Sequence, residues 1–294
     1  MSPVRVFLVD GTYELFRHYF GVPSHRTADG AEVAATRGVL SSLLGLLEEG
    51  VTHLGVATDH VIESFRNGLW PGYKSSAGVP ANLLGQFGLL ELAIEAMGVT
   101  VWPMVELEAD DALSSAAAVA ADDASVDQVV ICTPDKDLGQ CVQNGRVVQL
   151  DRRKRLVLDE AGVKGKFGVP PASIPDYLAL VGDSADGYPG LPGWGAKSSA
   201  AVLSHYGTIE RIPDSGAEWA VSVRGGPALA AGLAARRGEA MLFKDLATLR
   251  VDRSLLTSVE DLRWGGPTEA FGEVCARIDA AGMPARAVRV AKQR

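Results

Sequence analysis

Three apolar runs lead into an aspartate, and this pattern limits the chain to few folds. Residues 4–9 run into Asp10, residues 53–58 into Asp59, and residues 128–133 into Pro134-Asp135. Runs that are apolar without alternation are strands buried on both faces. Between them, residues 37–47 repeat apolar side chains at helical spacing, and residues 83–97 predict a helix closed by Gly98. Residues 99–105 are strand-like, and residues 110–121 are an Ala-rich helix with acids in its first turn. Strands alternating with helices imply an α/β, mostly parallel sheet flanked by helices. Such sheets bind ligands beyond the carboxyl ends of their strands, where these aspartates fall.

Nine acids sit in five clusters: Asp10; Asp59; Glu108, Asp110 and Asp111; Asp135 and Asp137; Asp183 and Asp186. Carboxylates gathered in one cleft repel strongly unless cations join them. Hard divalent cations, which take oxygen ligands, are the usual partners. The pattern points to a metal-dependent enzyme acting on phosphates. Each cluster also has a plainer reading, because Asp and Glu favour helix starts. Capping accounts for one cluster more readily than for five.

The formal net charge of −8 does not exclude nucleic acid, since cations offsetting the nine acids leave the remainder near neutral. The N-terminus lacks a signal-peptide pattern, and no apolar run is long enough to span a bilayer. Cys132, Cys141 and Cys275 have no metal-type spacing and are expected to be reduced thiols in a cytoplasmic protein. His18, His53, His60 and His205 lack zinc spacing and are expected to be structural or on the surface.

After residues 147–150 and 155–158 the strand signals fade, and helices split by Pro and Gly follow, at 175–181 and 196–205. The division expected is residues 1–165 for the catalytic domain and 166–294 for a helical domain with C-terminal helices. The turn carrying Gly190, Gly193, Gly195 and Lys197 precedes a helix. Glycines let a backbone approach closely, and a helix start offers free N–H groups to phosphate. The turn therefore suits a helix–hairpin–helix gripping a DNA backbone, or a glycine-capped helix connection. Arg152-Arg-Lys-Arg155 is either a duplex contact or a solvated hairpin tip.

Together these segments resemble the bacterial 5′–3′ exonuclease and flap endonuclease family, which includes the nuclease region of DNA polymerase I. The resemblance rests on Val9-Asp-Gly11, Phe65-Arg66, Tyr73-Lys74, Glu108-Ala-Asp-Asp111, Thr133-Pro-Asp-Lys-Asp137 and Gly182-Asp-Ser-Ala-Asp186 with the following turn to Lys197. It implies a PIN-like (resolvase-like) nuclease domain followed by a helix–three-turn–helix DNA-binding domain. With no polymerase region following, the chain is expected to be a free-standing relative. The resemblance implies that all nine acids hold two or three Mg²⁺ or Mn²⁺ ions. It places Lys74, Arg66 and Arg17 near the reacting phosphate, with Tyr73, Gly190, Gly193, Gly195 and Lys197 on DNA. It also implies a K⁺ ion at the hairpin, and a helical arch that includes Lys74. The implied partner is DNA with 5′ ends, flaps or nicks, or an RNA–DNA hybrid, handled by a monomer without membrane attachment.

Three positions depart from the family pattern. Ala77 stands where a second arch cation is usual, Gly187 where Asn is usual, and Trp194 where an aliphatic residue is usual. The poor arch leaves open a DNA-structure binding module with weak chemistry. A dehalogenase-type phosphatase would need an Asp at position 12, which is Thr12. A PIN-type ribonuclease would share the acidic sheet without needing the glycine hairpin.

Overall fold

A computed structural model of the chain describes residues 4–293. Strand β1 (Val4–Asp10) leads to helices α1 (Gly11–Gly21) and α2 (Ala34–Glu48), then β2 (His53–Asp59). Helices α3 (Phe65–Leu69), α4 (Ala81–Leu84) and α5 (Phe87–Ala96) precede β3 (Thr100–Met104). Helix α6 (Ala109–Asp122) and β4 (Val126–Cys132) follow, then β5 (Val147–Asp151) and β6 (Leu156–Leu158). The remaining helices are α7 (Glu160–Phe167), α8 (Ile174–Val181), α9 (Ala196–Tyr206), α10 (Gly226–Ala235), α11 (Arg237–Ala247), α12 (Phe271–Arg277) and α13 (Met283–Ala291).

The chain forms two compact units, neither continuous in sequence. The first comprises Met1–Ile62, Ser76–Thr133 and Val251–Arg294, described from residue 4 to residue 293; the second comprises Glu63–Ser75 and Pro134–Arg250. This differs from a division at residue 165. Residues 134–165 belong to the second unit, and the C-terminal helices belong to the first. The reason lies in the contacts of the last segment. Trp264 donates from its main chain to Thr52 O (2.9 Å) and from its indole to Met97 O (2.8 Å). The Arg286 guanidinium forks onto Glu48 at 2.6 Å through two nitrogens.

In the first unit four parallel strands run in the order β3-β2-β1-β4. All seven residues of β2 are buried, as a central strand covered on both faces requires. Helix α6 lies against β1, β2 and β4, and its buried residues include Ala109, Ala112, Ala116 and Ala120. The helix expected over 83–97 is two helices, α4 and α5, with Gly85 and Gln86 between them. Gln86 has a tertiary task that overrides helix continuity: its Oε1 accepts from Thr36 N and Thr36 Oγ1, both at 3.1 Å.

The stretch expected to form a helical arch carries no helix between Leu69 and Ala81. Pro71, Gly72, Gly78 (φ +84°) and Pro80 explain this, because each opposes helical continuation.

The second unit has its own apolar core, including Tyr73, Tyr177, Leu180, Tyr188, Leu203 and Phe243. Phe243 stacks on Tyr188 (5.6 Å between centroids) and meets Trp70 edge-on (5.2 Å). Strands β5 and β6 form an antiparallel hairpin. Its tip fits the solvated reading of residues 152–155. Arg153, Lys154 and Arg155 are exposed, and the Asp151 carboxylate accepts from Lys154 N at 3.0 Å.

After α8 the chain folds back on itself at two glycines. Gly182 (φ +82°) and Gly190 (φ +69°) both adopt left-handed backbone, and a Cβ on Gly190 would lie 2.3 Å from Gly182 N. Leu191 N donates to Leu180 O (2.9 Å), while Asp183 and Tyr188 exchange main-chain hydrogen bonds at 2.8 and 3.0 Å. This closure sets the loop that carries Asp183 and Asp186. Gly190→Ala is expected to destabilise the protein by roughly 1–3 kcal/mol from backbone strain alone, with the clash adding to it. Chemical denaturation checks this; unchanged stability would show that the crossing relaxes freely.

Candidate active site

In the first unit, the acids gather at the carboxyl edge of the parallel strands. Asp10 ends β1 and Asp59 ends the adjacent β2. Asp10 Oδ1 accepts from Tyr13 N (2.8 Å), capping α1, and its Oδ2 accepts from Thr133 Oγ1 (2.9 Å) just beyond β4. Asp59 Oδ1 accepts from Ala109 N at 2.7 Å, which ties it to the start of α6. Glu108 and Asp111 form a capping box there, with Glu108 N donating to Asp111 Oδ2 at 3.0 Å. Asp110 lies beside them in the first helical turn. The capping reading is therefore true locally, and it accompanies the clustering rather than replacing it. Helix N-termini stabilise the negative charge that is brought together here.

In the second unit, oxygens of Asp137, Asp183 and Asp186 all lie within 4.8 Å of one another. Asp137 and Asp183 are 5% and 2% exposed. Asp137 N donates to Asp135 Oδ1 at 3.0 Å, drawing the fourth acid into the group. Asp137 Oδ1 is buried and has no hydrogen-bond partner. Burial, followed by the charges of Asp135, Asp186 and Asp183, pushes the Asp137 carboxyl well above the usual range, against the pull of Lys74. Desolvated, mutually repelling carboxylates with an orphaned oxygen fit a hard divalent cation. Burial raises the Tyr188 hydroxyl too, and the charge of Asp137 adds to it.

Two lysines face this group. Lys74 Nζ lies 3.3 Å from Asp186 Oδ1, and its main-chain N donates to Asp186 O at 2.9 Å. Lys136 Nζ lies 2.7 Å from Asp183 Oδ2. Burial lowers the Lys136 ammonium, but the hydrogen bond and charge of Asp183, with Asp137 and Asp135, outweigh this and leave it raised. Reading the motif for its acids alone passes over Lys136. Its placement between two ligand candidates was the available signal.

Other expected site residues have partners of their own. Arg66 is 1% exposed, and its Nε and Nη2 donate to Leu246 O (2.8 Å) and Thr248 O (3.2 Å). Through these carbonyls it ties α3 to the end of α11. Tyr73 is 5% exposed in the apolar core, and its ring lies 5.7 Å from Lys74 Nζ. It backs Lys74 and presents no open face for a base. Gly190 closes the loop described above. Arg17 pairs with Glu14 and touches His18 Nε2 at 2.8 Å. Seven residues along α1 place it about 10 Å from Asp10 along the helix axis.

At the start of α9, Gly193, Gly195, Lys197 and Ser198 line an open hollow of about 570 Å³ with Val223 and Arg224. Arg224 is a second cation there that the motif did not reveal, because it comes from a loop 27 residues beyond Lys197.

The chain combines an acid-edged α/β unit with a helical unit that carries a glycine turn and a buried carboxylate group, the architecture of a resolvase-like nuclease family. Family models agree: a 5′–3′ exonuclease N-terminal resolvase-like domain matches residues 5–168, and a 5′–3′ exonuclease C-terminal SAM fold matches residues 169–270. The chain belongs to the 5′–3′ exonuclease family. It is 33% identical over 278 residues to DNA polymerase I of Pseudomonas aeruginosa, covering 91% of this chain and 29% of that protein. The chain thus spans less than a third of the length of that relative. Its fold is similar to that of a bacteriophage T5 flap endonuclease solved with DNA and metal ions (TM-score 0.64, 17% identity, 98% of this chain, 99% of that one). It is also similar to flap endonuclease-1 from Methanococcus jannaschii (TM-score 0.58, 13% identity, 99% and 93%). Among the described residues no helix is long and apolar enough to cross a membrane.

Manganese at 100 times its Kd is expected to stabilise the protein by about 2.7 kcal/mol. Asp137→Asn should lose this response while remaining folded without metal. A thermal-shift titration checks both, and an undiminished response in the variant would remove Asp137 from the ligand set.

Proposed function

We propose that the chain is a Mg²⁺- or Mn²⁺-dependent 5′-nuclease that hydrolyses DNA phosphodiester bonds at 5′ ends, flaps or nicks. The observation that carries this reading is the buried Asp137–Asp183–Asp186 group with its orphaned oxygen. Asp135 completes that set, and Asp10, Asp59, Glu108, Asp110 and Asp111 are the proposed metal-ligating acids of the first unit. These carboxylates would hold divalent ions, which would supply a water of lowered pKa and positive charge for the scissile phosphate. Lys74, fixed by Asp186 and backed by Tyr73, offers its ammonium to the phosphoryl oxygens as charge develops on them. Arg66 keeps α3, and so the approach to Lys74, in place. Arg17 acts at most on a neighbouring phosphate, being paired with Glu14.

Gly193, Gly195 and Lys197 hold the duplex backbone through the start of α9, with Arg224 adding charge and K⁺ taking part at the hairpin. Backbone contacts of this kind fix the register of cutting without reading sequence. The protein works as a monomer in the cytoplasm on DNA, with an RNA–DNA hybrid as a further substrate. Similarity to the T5 flap endonuclease solved with DNA and metal ions supports the metal and the DNA in this reading.

A labelled 5′-flap duplex tests the reading. The wild type should cut it in Mg²⁺ or Mn²⁺ and leave it intact in EDTA. Lys74→Ala should slow cutting by about 10²–10³-fold, as loss of one transition-state contact does. Binding without cutting in any metal would establish a DNA-structure binding module instead. Equal cutting of an RNA flap would favour a ribonuclease.

A further inference from the structure

Lys136 lies between two proposed metal ligands, yet neither the acid motif nor the hydrolytic reading assigns it a task. Its ammonium is 2.7 Å from Asp183 Oδ2, inside the group where Asp137, Asp183 and Asp186 crowd within 4.8 Å. Its side chain is one-third exposed, so the ammonium can leave toward solvent or substrate, whereas the Asp183 side chain is 2% exposed and stays. Asp183 cannot rotate away, because its other oxygen accepts from Ala185 N (2.9 Å) and its main chain is locked to Tyr188. The second lysine, Lys74, is bound to Asp186 through its main-chain N as well as its side chain, so it is held more firmly. Of the two ammonium groups, Lys136 is the one attached only through its side chain.

Resting on the metal-dependent reading above, we propose that Lys136 is a resident counter-ion, a positioning residue that holds Asp183 in place and competes with divalent cations for it. Two cations cannot share one carboxylate oxygen at close range without repulsion. An incoming divalent ion therefore displaces the ammonium. A substrate phosphate gives the released ammonium a new partner, so DNA and metal help each other to bind. By linkage this coupling is reciprocal. The acids are thereby kept in place without an ion, and ions are favoured when substrate is present.

The test measures Mn²⁺ binding to the full chain by calorimetry and by electron paramagnetic resonance, without DNA and with a saturating 5′-phosphorylated nicked duplex whose first linkages beyond the nick are non-hydrolysable methylene phosphonates. Lys136→Met should bind Mn²⁺ at least about fivefold more tightly than wild type without DNA, the lower end of coupling between sites. It should also show a smaller gain on adding DNA. Lys136→Arg, which keeps the charge, should restore near-wild-type affinity and coupling. Melting in EDTA separates folding from binding: Lys136→Met should melt below wild type and recover with Mn²⁺. Unchanged or weaker Mn²⁺ binding by Lys136→Met, with Asp183→Asn abolishing it, would overturn the counter-ion while leaving the metal site standing. Failure of the wild type to bind Mn²⁺ would overturn both.

Discussion

Repulsion among buried carboxylates governs the second unit. Asp137, Asp183 and Asp186 bring oxygens within 4.8 Å, with almost no solvent at the first two. Such a group persists only when the surrounding chain leaves it no escape and nearby cations reduce the repulsion. Both conditions are met locally. The Gly182–Gly190 crossing closes the loop, paired main-chain bonds between Asp183 and Tyr188 brace it, and Lys74 and Lys136 supply positive charge. The apolar residues around it, Tyr188 on Phe243 and Phe243 against Trp70, turn this loop into part of a core rather than a flexible excursion.

The first unit reaches a similar result by different means. Parallel strands end at a common edge, and the helices that follow start there. Asp10 caps α1, and Glu108 and Asp111 box the start of α6, while Ala109 N reaches Asp59. Helix starts are positive, so they tolerate acids that would otherwise repel. Capping and ligand roles are usually set against each other; here the cap is what fixes each carboxylate's direction. A carboxylate oxygen has more than one lone pair, so accepting an N–H leaves capacity for a cation.

Much of the architecture was legible in the residues. The strand centres at 54–57 and 129–132 are apolar without alternation, and the helices at 109–122 and 196–206 carry small-residue or periodic faces. Less legible were features decided by distant partners. The break between α4 and α5 depends on Gln86 serving Thr36, 50 residues away. The absence of helix in 70–80 was readable from Pro71, Gly72, Gly78 and Pro80, but the family likeness argued for an arch and outweighed them. The partners of Arg66 include the carbonyls at positions 246 and 248, which no local pattern announces.

Residue order by itself determined the parallel sheet, the acids at strand ends and helix starts, and the glycine turn before α9. These follow from short-range chemistry: apolar runs bury, caps favour acids, and glycine alone takes left-handed backbone without strain. Tertiary structure alone decided which acids share a neighbourhood, which lysine lies on which carboxylate, and that residues 251–293 belong with the first unit. Those outcomes depend on contacts across long separations, where packing and charge balance choose among partners that the linear pattern leaves equivalent.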